Sequence, residues 1–153
     1  MYRRVVFIGL GGSGGKTLRF IKRDLRHWLT EHDWPESREI PDGFQFLHID
    51  TPTVQDGVSM GGAEMLPDKE YLGLVGPGVN FQNVVNQLDN KLGIKEEFAA
   101  WSVSPPLNVP IATGAGAYRA VGRTIALAYM DQIKSGVRGI LNRASSPKSV
   151  SDL

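Results

Sequence analysis

The pattern of apolar and polar positions predicts alternating strands and helices along the first third of the chain. Residues 3–10 contain an unbroken apolar run, Val-Val-Phe-Ile, which is typical of a buried parallel strand. Residues 17–29 carry apolar side chains at helical spacing on one face and basic side chains on the other. Residues 44–49 predict a second strand. Strand, helix and strand in this order predict a βαβ unit with parallel strands.

The rest of the chain predicts more helices around an irregular middle. Residues 53–78 are rich in glycine and proline, and we interpret them as an excursion with one short helical turn near residues 68–72. Further elements are predicted as helices at 80–92, 96–101 and 118–141, and as a weak strand at 108–112. We therefore expect a three-layer α/β domain over residues 1–143 with a mainly parallel sheet, followed by a flexible tail over residues 144–153.

Composition and charge exclude several classes of protein. Apolar residues make up 41% of the 153 residues and the net charge is +1, which argues against disorder and against a nucleic-acid-binding surface. The absence of cysteine excludes disulfides and thiolate metal sites. The apolar runs are too short to span a bilayer, and the N-terminal residues lack the pattern of a signal peptide. A cytoplasmic location is expected.

A glycine-rich run follows the first predicted strand and leads into the first predicted helix. Backbone N–H groups at the start of a helix, together with the helix dipole, favour a bound phosphate. The candidate phosphate-binding residues are Gly11, Gly12, Ser13, Gly14, Gly15 and Lys16. A plain turn without a ligand is the simpler interpretation, but it rarely needs so many glycines.

This first run also fits one general nucleotide motif and fails another. Gly9, Gly11 and Gly14 satisfy the dinucleotide fingerprint of NAD- and FAD-binding Rossmann proteins, with Asp50 as the ribose-binding carboxylate. Asp50 lies 36 residues beyond Gly14, however, whereas the usual gap is about 20 residues. The run does not match a Walker A loop, because position 10, where that motif needs glycine, is leucine.

A second glycine segment decides between these interpretations. Gly114-Ala115-Gly116-Ala117, followed by Val121-Gly122-Arg123, closely resembles the FtsZ loop that wraps the γ-phosphate. The first run, Ile-Gly-Leu-Gly-Gly-Ser-Gly-Gly-Lys, resembles the first nucleotide loop of the tubulin/FtsZ superfamily, and that of the bacterial tubulin-like proteins most. Asp50-Thr51 resembles the short polar loop that follows the second strand of that superfamily.

The resemblance implies a fold, a ligand and a set of roles. The fold would be the N-terminal portion of a Rossmann-like tubulin/FtsZ-type GTPase domain, binding GTP or GDP with Mg²⁺. Residues 11–16 would hold the α- and β-phosphates, and Asp50 and Thr51 would lie beside the metal ion or the ribose. Residues 114–117 would close over the γ-phosphate, and Arg123 would pair with a phosphate. The resemblance also implies self-association into filaments.

Two departures from the family pattern limit the activity that we expect. FtsZ has asparagine where this chain has Lys16, at the nucleoside end, so guanine specificity does not follow from the resemblance. The later Gly-Gly-Gly-Thr-Gly-Thr-Gly loop and the catalytic acidic loop are not among these residues. We therefore expect negligible hydrolysis unless a partner chain or a C-terminal half supplies them. A dinucleotide-binding module and a non-catalytic interaction scaffold are the alternatives.

Side chains outside these motifs have simpler interpretations. The three histidines are interpreted as structural or solvated, and His48, close to Asp50, has the best case for another role. The basic face of the first helix is interpreted as a solvated surface rather than a nucleic-acid patch.

Overall fold

Three parallel strands form the sheet in the computed structural model of the chain. They are β1 (Val5–Leu10), β2 (Phe44–Pro52) and β3 (Tyr71–Val75), in the order β1-β2-β3. The predicted βαβ unit is therefore confirmed, and β2 continues three residues beyond its predicted end. The structure describes residues 3–57, 61–92, 100–101, 111–116 and 118–151.

The helices differ from the predicted ones at two places that matter for the site. They are α1 (Gly11–Glu31), α2 (Phe81–Leu92), α3 (Arg119–Ala128), α4 (Met130–Ala144) and α5 (Pro147–Ser151), with 3-10 turns at Asp68–Glu70 and Ile111–Thr113. The first glycine run is not a separate loop, because α1 begins directly after β1 and the glycines form its first turns. The predicted helix at 118–141 is two helices, which meet at Tyr129.

Helices cover both faces of the sheet, as a three-layer α/β fold requires. On one face, Phe46 of β2 packs with Leu18 of α1. On the other face, alternate residues of β2 pack in a core with α2, α3 and α4. Members of this second core are Leu47, Ile49, Val84, Val121, Ile125 and Ile140. The apolar stripe of the predicted long helix therefore packs largely in this core.

The middle of the chain contains a strand that sequence patterning did not predict. Residues 53–78 were expected to hold one short helical turn, and the turn at Asp68–Glu70 leads directly into β3. Gly73, in the centre of β3, lies so close to β2 that a Cβ there would be 2.3 Å from the Pro52 carbonyl oxygen. Gly73 weakens the strand pattern in the sequence, but β3 can lie this close to the end of β2 only with glycine at this position.

The remaining predicted elements are only partly covered by the described residues. The predicted helix at 96–101 and strand at 108–112 lie outside them, except for residues 100–101 and for residues 111–112, which belong to a 3-10 turn. Within the expected tail, α5 buries Ser149, whose Oγ donates a hydrogen bond to the Ala144 carbonyl at 2.6 Å. Among the described residues, no helix has the length and apolar character needed to cross a membrane.

Candidate functional site

The first glycine run is partly explained by close packing. A Cβ on Gly9 would lie 2.6 Å from the Gly14 carbonyl oxygen, so the end of β1 and the first turns of α1 meet backbone to backbone. A Cβ on Gly15 would lie 2.1 Å from Cε1 of His48 in β2. Glycine at positions 9, 14 and 15 is therefore required by the fold itself, whether or not a ligand binds.

The other two glycines of the run have no such structural neighbour. A Cβ on Gly11 or on Gly12 would meet nothing within 4 Å. Ser13 and Lys16 are exposed, and the Lys16 side chain is 47% accessible. Gly11 has a φ of +67°, which glycine adopts without the penalty of a side chain. This side of the run is open to a ligand.

The N-terminus of α1 lacks the partners that usually stabilise a helix start. No side chain caps the helix at Leu10, and its first turn contains no acidic residue. The first N–H groups of a helix have no partner within the helix and are satisfied by side chains, water or ligands. The positive end of the dipole of a 21-residue helix therefore faces the open side of the glycine run.

A carboxylate that sequence reasoning did not select lies near this helix start. Asp56 Oδ2 is 3.9 Å from Lys16 Nζ, and both side chains are about half exposed. Such an exposed pair is weak and can open when a stronger anion arrives. Asp56 follows β2 by a few residues, so it comes from the same edge of the sheet as Asp50 and Thr51.

A buried arginine fixes the segment that carries Asp56. Arg19 of α1 is only 6% exposed and donates hydrogen bonds to the carbonyls of Asp56, Ala63 and Glu64, at 3.3, 2.8 and 2.9 Å respectively. Gln55 adds two hydrogen bonds to the backbone of Leu66. The basic face of α1 is thus not simply solvated, because Arg19 ties the segment after β2 to the helix.

Asp50 is held by its neighbours in β2. Its Oδ1 accepts a hydrogen bond from the Thr51 N–H at 2.7 Å, and its Oδ2 lies 3.4 Å from His48 Nε2. Burial raises the pKa of this carboxyl, but the neighbouring His48 imidazole and the hydrogen bond from Thr51 outweigh burial and keep the pKa of Asp50 below its usual value. Asp50 is therefore a carboxylate at neutral pH, while Thr51 is largely buried.

Tyr71 of β3 completes this cluster. Its ring meets the His48 imidazole edge to face, with centroids 5.0 Å apart, and its hydroxyl donates to the Pro52 carbonyl. Burial and the charge of Asp50 raise the pKa of Tyr71 to about 12. The phenol therefore stays protonated and serves as a donor over the physiological pH range.

The second glycine segment is placed by a 3-10 turn on the opposite face of β2. Ile111, fully buried, packs in the core that contains Ile49. Gly114 and Gly116 follow it with φ values of +132° and +59°, which favour glycine, and Ala115 packs against the same core. Ala117 lies outside the described residues.

Arg123 stacks on an aromatic ring. Its guanidinium carbon lies 4.1 Å from the centroid of the Trp101 ring, in a cation–π contact. The residue is exposed, one turn into α3.

The first glycine run and the turn that leads into the second glycine segment both pack on β2. Gly11 and Gly15 contact His48, two residues before Asp50, and the turn Ile111–Thr113 packs on β2 from the other face. His48, Tyr71 and Asp56 were not selected by the motif analysis. The period-2 spacing of His48 and Asp50 puts both on the α1 side of β2, and this was the available signal for His48.

A parallel α/β sheet with a glycine-rich helix start at the carboxyl end of a strand is an arrangement found in nucleotide-binding domains. Comparison with family models narrows this class. The model of a family described as tubulin like matches residues 6–152, so the chain belongs to the tubulin-like family, whose membership indicates a nucleotide-binding domain. Searches of curated proteins and of solved structures return no match.

Proposed function

We propose that this chain binds the phosphates of a guanine nucleotide at the N-terminus of α1 and assembles with copies of itself when the nucleotide is a triphosphate. One observation carries the proposal: the helix start is uncapped, lacks acidic residues and is open at Gly11 and Gly12. A phosphate there would accept hydrogen bonds from the first N–H groups and would be stabilised by the helix dipole.

The charged side chains near this helix start fit an anionic ligand. Lys16 has a weak, half-exposed contact with Asp56, and a phosphate can compete for its ammonium group. The described residues contain no group of three His, Asp or Glu side chains that could hold a metal ion. Mg²⁺ would therefore take most of its ligands from the phosphates and from water, with Asp50 as the protein carboxylate, which is a common arrangement for this ion. Bound Mg²⁺ would neutralise phosphate charge.

The second glycine segment would report on the third phosphate. Residues 114–117 would close over the γ-phosphate, and Arg123 would leave Trp101 to pair with it. A loop whose position responds to the γ-phosphate would make assembly depend on the nucleotide state. A cytoplasmic location remains a prediction.

The proposal is tested by equilibrium binding of a fluorescent GTP analogue, with competition by GDP, ATP and NAD in the presence of Mg²⁺. Lys16→Gln should weaken binding about 10-fold or more, because it removes a charged hydrogen bond to phosphate. Lys134→Gln removes the same charge from an exposed position of α4 and serves as the matched control, with unchanged affinity expected.

The competition assay distinguishes the alternatives. Displacement by NAD but not by GDP would favour the dinucleotide fingerprint of Gly9, Gly11 and Gly14 and would contradict the proposal. Absence of binding at millimolar nucleotide would favour an interaction scaffold. Light scattering and sedimentation with GTP and with GDP test assembly, and equal sedimentation in both would refute the nucleotide dependence.

A further inference from the structure

His48, a residue of β2, contacts the first glycine run from the side of the sheet. It lies in the middle of β2, opposite Gly9 of β1, and is only 6% exposed. Its Nε2 is 2.9 Å from the Gly11 carbonyl oxygen. A carbonyl oxygen only accepts hydrogen bonds, so Nε2 carries the hydrogen and donates it. The same nitrogen is 3.4 Å from Asp50 Oδ2, which keeps the ring in this orientation.

The imidazole is closely packed on several sides. The missing side chain of Gly15 leaves the space that the ring fills, since a Cβ there would be 2.1 Å from Cε1 and 2.5 Å from both ring nitrogens. Tyr71 meets the ring edge to face at 5.0 Å. His48 is thus enclosed by α1, by Tyr71 of β3 and by Asp50 of its own strand.

The hydrogen bond from His48 acts on one peptide group in the first turn of α1. The peptide unit between Gly11 and Gly12 is planar and trans, so its C=O and its N–H point in opposite directions. Because His48 contacts the Gly11 oxygen, the Gly12 N–H, on the opposite side of the same peptide, points away from His48. A peptide between two glycines is the easiest to turn over, because neither residue restricts φ and ψ strongly.

We infer that His48 is a positioning residue that holds the Gly11–Gly12 peptide with its N–H toward the phosphate and its carbonyl away from it. The inference rests on the proposed function, because it names the side chain that prepares the same phosphate site. Turning this peptide over would present a carbonyl oxygen to the anion and remove one donor. The side chain that holds the peptide in place belongs to β2, the strand that also supplies Asp50.

The test compares variants of His48 and Gly15 by their affinity for a fluorescent GTP analogue and by their melting temperature. His48→Ala removes the donor that holds the peptide. It should weaken binding about 10- to 100-fold, the value of the one charge-assisted hydrogen bond that the Gly12 N–H would no longer donate to phosphate. His48→Gln keeps an N–H donor at the end of the side chain and should restore most of the affinity. Gly15→Ala displaces the ring and should also weaken binding, and the double variant with His48→Ala should recover the stability that Gly15→Ala loses.

A stability control separates positioning from general damage to the fold. Val84→Ala truncates a fully buried side chain of α2 and should lower the melting temperature without changing the affinity. The chemical shift of the Gly12 amide gives a second readout, and it should move in His48→Ala and stay near its original value in His48→Gln.

Each outcome decides between the two proposals. If the unsubstituted chain binds no nucleotide, the proposed function fails and this inference falls with it. If the unsubstituted chain binds and a folded His48→Ala binds equally well, only the inference is overturned. If His48→Ala does not fold, His48→Gln and Gly15→Ala decide. A folded glutamine variant with lost affinity, or a folded Gly15→Ala with full affinity, would overturn the inference.

Discussion

Replacing Gly9 by alanine should damage the fold at the point where β1 meets α1. The added Cβ would lie 2.6 Å from the Gly14 carbonyl oxygen, 2.7 Å from the Gly14 carbonyl carbon and 2.8 Å from Cδ1 of Leu18. Two of these atoms belong to backbone, which cannot rotate away as a side chain can. The strand and the helix must therefore separate by several tenths of an ångström.

The expected cost follows from the energetics of overpacking. Inserting a methyl group into a packed region costs about 1–3 kcal/mol. For a domain of this size each 1 kcal/mol shifts the melting temperature by about 2–4 °C, so Gly9→Ala should melt about 2–12 °C lower. Scanning calorimetry measures this shift directly.

Gly12→Ala is the matched control, because it adds the same methyl group three residues further along. Its Cβ would meet nothing within 4 Å, and Gly12 has no positive φ. Alanine at such a position reduces the freedom of the unfolded chain and should raise stability by about 0.4–1 kcal/mol. Equal melting temperatures for the two variants, or a more stable Gly9→Ala, would refute the proposed close approach of β1 and α1.

Three further predictions test contacts around the site. Arg19→Met should lower the free energy of unfolding by at least about 1.5–3 kcal/mol in urea titrations, because buried carbonyls lose charged hydrogen bonds; an unchanged value would contradict the anchoring role. The pKa of Tyr71, raised from 10.0 to about 12, means that the protonated phenol stabilises the fold fully below pH 10 and that this stabilisation is lost as pH rises toward 12. Tyr71→Phe should therefore flatten the fall in stability in that window, and an identical alkaline limb would argue against the shift. Arg123→Met should change the fluorescence of Trp101 while altering the free energy of unfolding by less than about 1 kcal/mol, and an unchanged emission spectrum would contradict the stacked contact.

The sequence predicted the parts of the fold where local pattern and tertiary structure agree. The apolar run of β1 and the pattern of β2 are long enough to be recognised, and the glycine run marks the junction with α1. β3 was missed because it is only five residues long and contains Gly73. This glycine allows a close approach to β2, which no local pattern reveals. The division of the last long helix at Tyr129 has no proline or glycine to signal it.

The candidate site remains a prediction from the sequence, to which the structure adds the packing of its glycines. Glycine motifs identified residues 11–16, because the geometry of a helix start depends on a few consecutive residues. They could not separate Gly15, which makes room for His48, from Gly12, which faces open space. That distinction depends on β2, more than thirty residues further along, and so required the structure.

The measurement that tests the central claim most directly is a titration of the isotope-labelled chain with GTP and with GDP, in the presence of Mg²⁺, followed by amide NMR. The account predicts saturable shifts at the amides of residues 11–16 with both nucleotides, and additional shifts at residues 114–116 with GTP alone. Saturable binding that leaves the amides of Gly11, Gly12 and Ser13 unmoved would contradict a phosphate site at the start of α1.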